Sequence, residues 1–74
     1  MNKMTEKELI IRGIKARMRE VIRERGCGVV NFCKENGIDK STLYSTKSFP
    51  SSCIVIMIAD QCHVTTDYIL KGVK

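Results

Sequence analysis

The stretch GIDKSTLYS (residues 37–45) settles more about this chain than any other. Gly37 can take the left-handed conformation that a tight helix exit needs. Ile38 can then plug the turn into a core, and Asp39 is a good N-cap for a helix starting directly after it. That makes Lys40, Ser41 and Thr42 the first exposed turn of a new helix, with Leu43 as its one clear core anchor. The remaining residues, Tyr44, Ser45, Thr46, Lys47 and Ser48, are nearly all polar. A helix with so little apolar surface contributes little to a core, so its use lies at the surface.

Upstream, VVNFCKEN (29–36) reads as a short helix with Val29, Phe32 and Cys33 on its apolar side. Before it, Thr5 and Glu8 fit a capping box that opens a long helix. Ile10, Ile14, Met18, Val21 and Ile22 recur at helical spacing, with Ile11 at the margin, and Gly26 ends the pattern. Arg12, Lys15, Arg19 and Arg23 fall on an adjacent basic face. Gly13 weakens this segment by about 1 kcal/mol relative to Ala. The helix therefore starts either near Thr5 or after Gly13, and residues 1–13 form a helix extension or an arm ahead of a domain spanning 14–74.

Downstream, Pro50 and a serine open CIVIMIAD (53–60). Its five successive apolar residues, Ile54 to Ile58, suit a buried strand by propensity. No second strand is present to pair with it, so a helix is expected. That helix is apolar nearly all round, which is abnormal in so small a chain. Val55, Ile58 and Cys62 share the face expected to meet the core, which leaves Ile54 and Met57 pointing elsewhere. Thr65 caps a last helix, TDYILK, closed by Gly72. The expectation is one compact all-α domain of five helices.

Composition bounds the function. Seventy-four residues make one small domain, and 43% apolar residues argue against disorder. No apolar run is long enough to span a membrane. MNKMTEKELIIRGIK lacks the apolar region and cleavage site of a secretory signal, so a cytoplasmic location is expected. The net charge of +5 is concentrated early: residues 1–25 hold eight Lys/Arg against four Glu, and residues 26–74 hold five Lys against four acids. Cys27, Cys33, Cys53 and Cys62 lack the close spacing of a zinc site, so they read as buried free thiols and no metal is expected. A single histidine, His63, leaves no catalytic triad, and no phosphate-cradling glycine motif occurs. An enzyme is not expected, nor is a cofactor or a small-molecule ligand.

Taken together, VVNFCKEN-G-I-D-KSTLYSTKS, P-SS-IVIMIAD and HVTTDYILKG resemble the Cro/phage-repressor (XRE-type) helix-turn-helix family over roughly residues 14–72. The resemblance implies a phage-repressor type of domain whose third helix enters the major groove of double-stranded DNA. It assigns base and phosphate contacts to Lys40, Ser41, Thr42, Ser45 and Ser48, and backbone contacts to Tyr44 and Lys47. Asn31 on the second helix and the basic Lys15, Arg19 and Arg23 of the first complete the DNA-contacting set. The family's Arg–Glu pair between the first helix and the end of the recognition helix falls at Ile22 and Lys47 here, so that tie is missing.

The implied function is a small dimeric transcriptional regulator, a repressor bound to a palindromic operator. The homodimer is expected to use Ile54 and Met57, with Ile69 and Val73 as additions, since an aliphatic patch left exposed on a small protein marks an interface. The other reading is a protein-interaction module, antitoxin-like or an anti-repressor partner, that uses the apolar fourth helix.

Overall fold

A computed structural model of the chain describes residues 4–73. Residues 1–3 of the expected N-terminal extension and residue 74 at the end of the expected domain lie outside the described residues. Five helices follow in order: α1 (Glu6–Glu24), α2 (Val29–Asn36), α3 (Ser41–Tyr44), α4 (Ser52–Gln61) and α5 (Thr66–Lys71). No strand occurs among the described residues.

The choice at Gly13 is settled for the long helix. Thr5 accepts the Glu8 N–H at 3.1 Å while the Glu8 carboxylate accepts the Thr5 N–H at 3.1 Å, and α1 runs through Gly13 unbroken. Residues 4–13 are therefore the first turns of α1 and its cap, and no separate arm exists there. α1 is the hub of the fold, packing against all four other helices, while α4 also packs against α5. The core joins Ile14, Met18, Val21 and Ile22 of α1 to Phe32, Leu43, Val55, Ile58 and Ile69, one or two from each other helix.

Two expectations about α1 need correction. Ile11 is wholly buried and Ile10 is exposed, the reverse of the expected order. Lys15 is buried as well, at 2% exposure. At 100° per residue Ile11 and Lys15 lie within about 60° of Met18, the centre of the buried arc, whereas Ile10 lies about 80° away at its edge. Helical phase, rather than side-chain type, put the lysine inside.

In α4 the expected core face holds, with Val55, Ile58 and Ala59 buried and Cys62 half-buried. The expected outward residues do not. Ile54 is half-buried and packed against the core, Met57 is half-buried, and Ile56 is the exposed residue at 58%. No helix among the described residues is long and apolar enough to cross a membrane.

Candidate nucleic-acid interface

The turn after α2 forms as the sequence expects. Gly37 has φ 65°, in the left-handed region, and the Ile38 N–H donates to the Cys33 carbonyl at 2.8 Å. Ile38 packs half-buried on the core. The Asp39 carboxylate accepts the Ser41 N–H at 3.1 Å, yet Lys40, not Asp39, occupies the cap position and its backbone is already helical.

The expected helix over Lys40–Ser48 is cut to a single turn, Ser41–Tyr44. Ser45 is extended (φ −71°, ψ 138°), and its hydroxyl accepts the Lys47 N–H at 3.2 Å. A short hydroxyl side chain that bonds nearby backbone offers the chain an alternative to the helix. Pro50 adds to this by driving the residue before it towards extended backbone. Ser45, Lys47 and Ser48 thus sit on a bend beyond the helix, next to it but in a different register.

One helical turn does not hold itself together in water. Here α1 holds it. Leu43 is wholly buried, the Arg19 guanidinium donates to the Leu43 carbonyl, and the same guanidinium lies 4.8 Å from the centroid of the Tyr44 ring. A charged donor on a helix-end carbonyl and a cation over an aromatic face are each favourable by roughly 1 kcal/mol. The link between α1 and α3 is thus made by an arginine bonded to backbone, with no side-chain ion pair in it. Sequence pairing could not reveal it, because a carbonyl acceptor leaves no trace in the side chains.

A second tie lies further out. Lys47 Nζ is 3.7 Å from the Glu8 carboxylate, with the lysine 85% exposed, so the pair is screened and weak. Lys7 lies 5.9 Å above the Phe49 ring. The first turns of α1 thus lean over the segment that follows α3.

Of the expected DNA-contacting residues, Lys40, Ser41, Tyr44, Lys47 and Ser48 are exposed, and Thr42 and Ser45 are partly so. Asn31 and Arg23 are exposed on α2 and α1. Arg19 and Lys15 depart from the expectation of an open basic face. Arg19 is committed to α3, and burial, then the neighbouring Arg19 charge, hold the Lys15 amine below the usual lysine range.

Arg17, which the basic-face pattern does not include, has a comparable job at the other end of the molecule. Its Nε donates to the Ile69 carbonyl at 2.8 Å and its Nη2 to the Leu70 carbonyl at 3.1 Å, satisfying the last carbonyls of α5. A general signal exists for such a role, since basic residues suit helix C-termini.

Two concavities flank these elements. A cleft of about 370 Å³ is lined by Glu20, Glu24, His63, Val64, Thr65 and Tyr68. A groove of about 310 Å³ between α4 and α5 is lined by Pro50, Ser52, Val55, Ile56, Thr66 and Leu70. Among the expected dimer residues, Ile69 is wholly buried in the subunit and cannot face a partner, whereas Val73 is 58% exposed. The cysteines are free, but only Cys33 is buried; Cys27 and Cys62 are half-buried and Cys53 is exposed. No three His, Cys, Asp or Glu side chains among the described residues gather where they could hold a metal ion. No protein-family model, curated protein or solved structure matches the chain.

Proposed function

We propose that the chain is a sequence-specific, double-stranded DNA-binding transcriptional regulator of the Cro/phage-repressor helix-turn-helix type, acting as a small homodimeric repressor in the cytoplasm. The observation that supports it best is the presentation of α3. A polar turn, Lys40-Ser41-Thr42, comes after the left-handed Gly37 and is fixed from behind by Leu43 and Arg19. Lysine can donate to guanine O6 and N7, and serine or threonine can serve several base edges, provided the backbone carrying them is held still. Exposed Asn31, Arg23 and Lys47 supply positions for phosphate contacts, and the +5 charge favours a polyanionic partner.

The partner subunit belongs at the α4–α5 groove. Ile56 and Leu70 line it, Val73 is exposed just beyond the end of α5, and none of its lining residues is ionisable. Two copies of a chain carrying +5 repel one another except where an uncharged surface meets an uncharged surface. Reading a palindrome requires the two-fold axis to set the two α3 turns one duplex turn, ~34–36 Å, apart.

Selection from a random duplex pool tests the reading. Recovery of a palindromic consensus, bound with an affinity that falls steeply with salt, is the expected result. Binding that ignores both sequence and salt would instead favour the interaction-module reading, for which the same apolar groove is the supporting observation.

A further inference from the structure

The C-terminal ends of α1, α2 and α4 come together in one chain of hydrogen bonds. Arg25 Nη1, on the cap residue of α1, donates to Gln61 Oε1 at 3.3 Å. Gln61 Nε2, at the end of α4, donates to Asn36 Oδ1 at 2.9 Å. Asn36 Nδ2, at the end of α2, donates in turn to the Phe32 carbonyl at 2.9 Å. Both polar ends of the Asn36 amide are therefore occupied, and the residue that follows it is Gly37.

An asparagine followed by glycine is chemically labile, because a residue without a Cβ lets its backbone nitrogen approach the preceding side-chain amide carbon unhindered. Of the three asparagines in the chain, Asn36 alone precedes a glycine. Asn31 precedes Phe32, whose ring is buried and whose N–H is held by the Gly28 carbonyl at 2.9 Å. At Gly37 there is open space, since a Cβ built there would meet nothing within 4 Å. The Gly37 N–H is shared between the Cys33 and Lys34 carbonyls, the latter at 3.4 Å. Hydrogen bonds, and not crowding, therefore hold the two reactive groups apart.

We infer that Asn36 is a site of spontaneous deamidation, that the Gln61 amide holds it in check, and that its product loosens the turn between α2 and α3. When the Asn36 side chain swings free, the Gly37 nitrogen gives up its proton to hydroxide and attacks the amide carbon. A new N–C bond closes a five-membered succinimide, and the old amide nitrogen leaves as ammonia, taking a proton from water. Water then opens the ring at either carbonyl, giving aspartate or isoaspartate. No oxidant or reductant takes part. The new carboxylate can still accept from Gln61, but it has no hydrogen to give the Phe32 carbonyl. It also places a negative charge at the C-terminus of α2, where the helix dipole is already negative. In the isoaspartyl form the main chain runs through the former side chain, adding one carbon just before the left-handed Gly37 on which the turn depends.

The test follows the full chain in mildly alkaline buffer, mapping the amide-to-acid change by peptide mass spectrometry and marking isoaspartate with an isoaspartyl-specific methyltransferase. The same chain unfolded in urea gives the rate without the gate. Deamidation is expected first at Asn36, and more slowly in the folded chain than in urea. Gln61→Ala should raise the folded rate about fivefold, the factor set by one hydrogen bond of ordinary strength. Ile14→Val, which lowers stability in the core on α1, should raise it less. Asn36→Asp, which carries the product charge, should melt roughly 5 °C below wild type. Modification first at Asn31, a folded rate equal to that in urea, or no acceleration in Gln61→Ala overturns the inference. So does an Ile14→Val rate as high as that of Gln61→Ala, or an unchanged melting point in Asn36→Asp. DNA plays no part in these readouts, so the result stands apart from the proposed function.

Discussion

α3 and α4 are consecutive helices held by opposite means. α4 is ten residues long, capped by the Ser51 hydroxyl, and buries Val55, Ile58 and Ala59 through its own periodicity. α3 is one turn with no side-chain cap bond and one buried residue. It is kept in place by α1, through the Leu43 side chain, the Leu43 carbonyl and the Tyr44 ring. A helix that turns polar groups to solvent over most of its surface must take its rigidity from a neighbour. One that packs most of its surface can leave a groove beside it.

Leu43→Ala puts this contrast under the greatest strain. It removes the only buried side chain of α3 and should destabilise the domain by ~2–5 kcal/mol, measured by chemical denaturation. A 74-residue domain has little stability in reserve, so the variant should be largely unfolded near room temperature. A loss below ~1 kcal/mol would show that α3 is not held through this contact.

Arg19→Ala comes next, at ~1–3 kcal/mol, because a buried carbonyl loses a charged donor. For duplex binding it should reduce discrimination between the selected and random sites while leaving the salt slope alone. Arg23→Ala should do the reverse, lowering the slope by about 1 with little effect on stability. If Arg19→Ala flattens the salt slope instead, that side chain leaves α3 to contact phosphate.

Lys15→Met should stabilise, on the order of 1 kcal/mol, since it replaces a buried cation by an apolar side chain of similar shape. The sign comes from the lowered lysine pKa: the folded state disfavours the charged form, and that penalty disappears above the unfolded pKa. Wild type should therefore gain relative stability towards alkaline pH, and Lys15→Met should lack that gain.

On the α4 side, Ile56→Glu with Leu70→Glu should convert a dimer to a monomer in sedimentation while changing the subunit's melting little, as both side chains are already exposed. A wild-type monomer at high micromolar concentration would remove the groove from the account.

The smallest effect belongs to Glu8. Thr5 hydrogen bonds, ahead of the Lys47 charge, hold its carboxyl below the ordinary glutamate value. Its contribution is present above the unfolded glutamate pKa and fades as pH falls through the lower folded one. Hydrogen exchange in the first turn of α1 should therefore accelerate on acidification, and Glu8→Gln should reduce that pH dependence.

Much of this architecture is legible in the chain itself. The Thr5–Glu8 box, the Ser51 and Thr65 caps and the glycines at 37 and 72 mark helix ends because capping is a contact between residues no more than a few positions apart. The apolar sides of α2 and α4 come from periodicity in the same way. Even the burial of Lys15 is written in helical phase, though its charge disguises it. Beyond one turn the local rules stop. Which carbonyl Arg19 reaches, which helix end Arg17 closes, and that Ile56 rather than Ile54 stands exposed depend on where α1 crosses α3 and α5 and where α4 meets α5. The length of α3 is also out of reach, because Ser45 is extended and its hydroxyl bonds the Lys47 N–H in place of a further helical turn. Neighbours along the chain are enough to specify where α2, α4 and α5 lie and that the Lys40–Thr42 turn faces solvent. What steadies that turn, and which apolar face stays open, were set by the packing of helices distant in sequence, because a backbone carbonyl or an unfilled groove has no letter in the sequence to announce it.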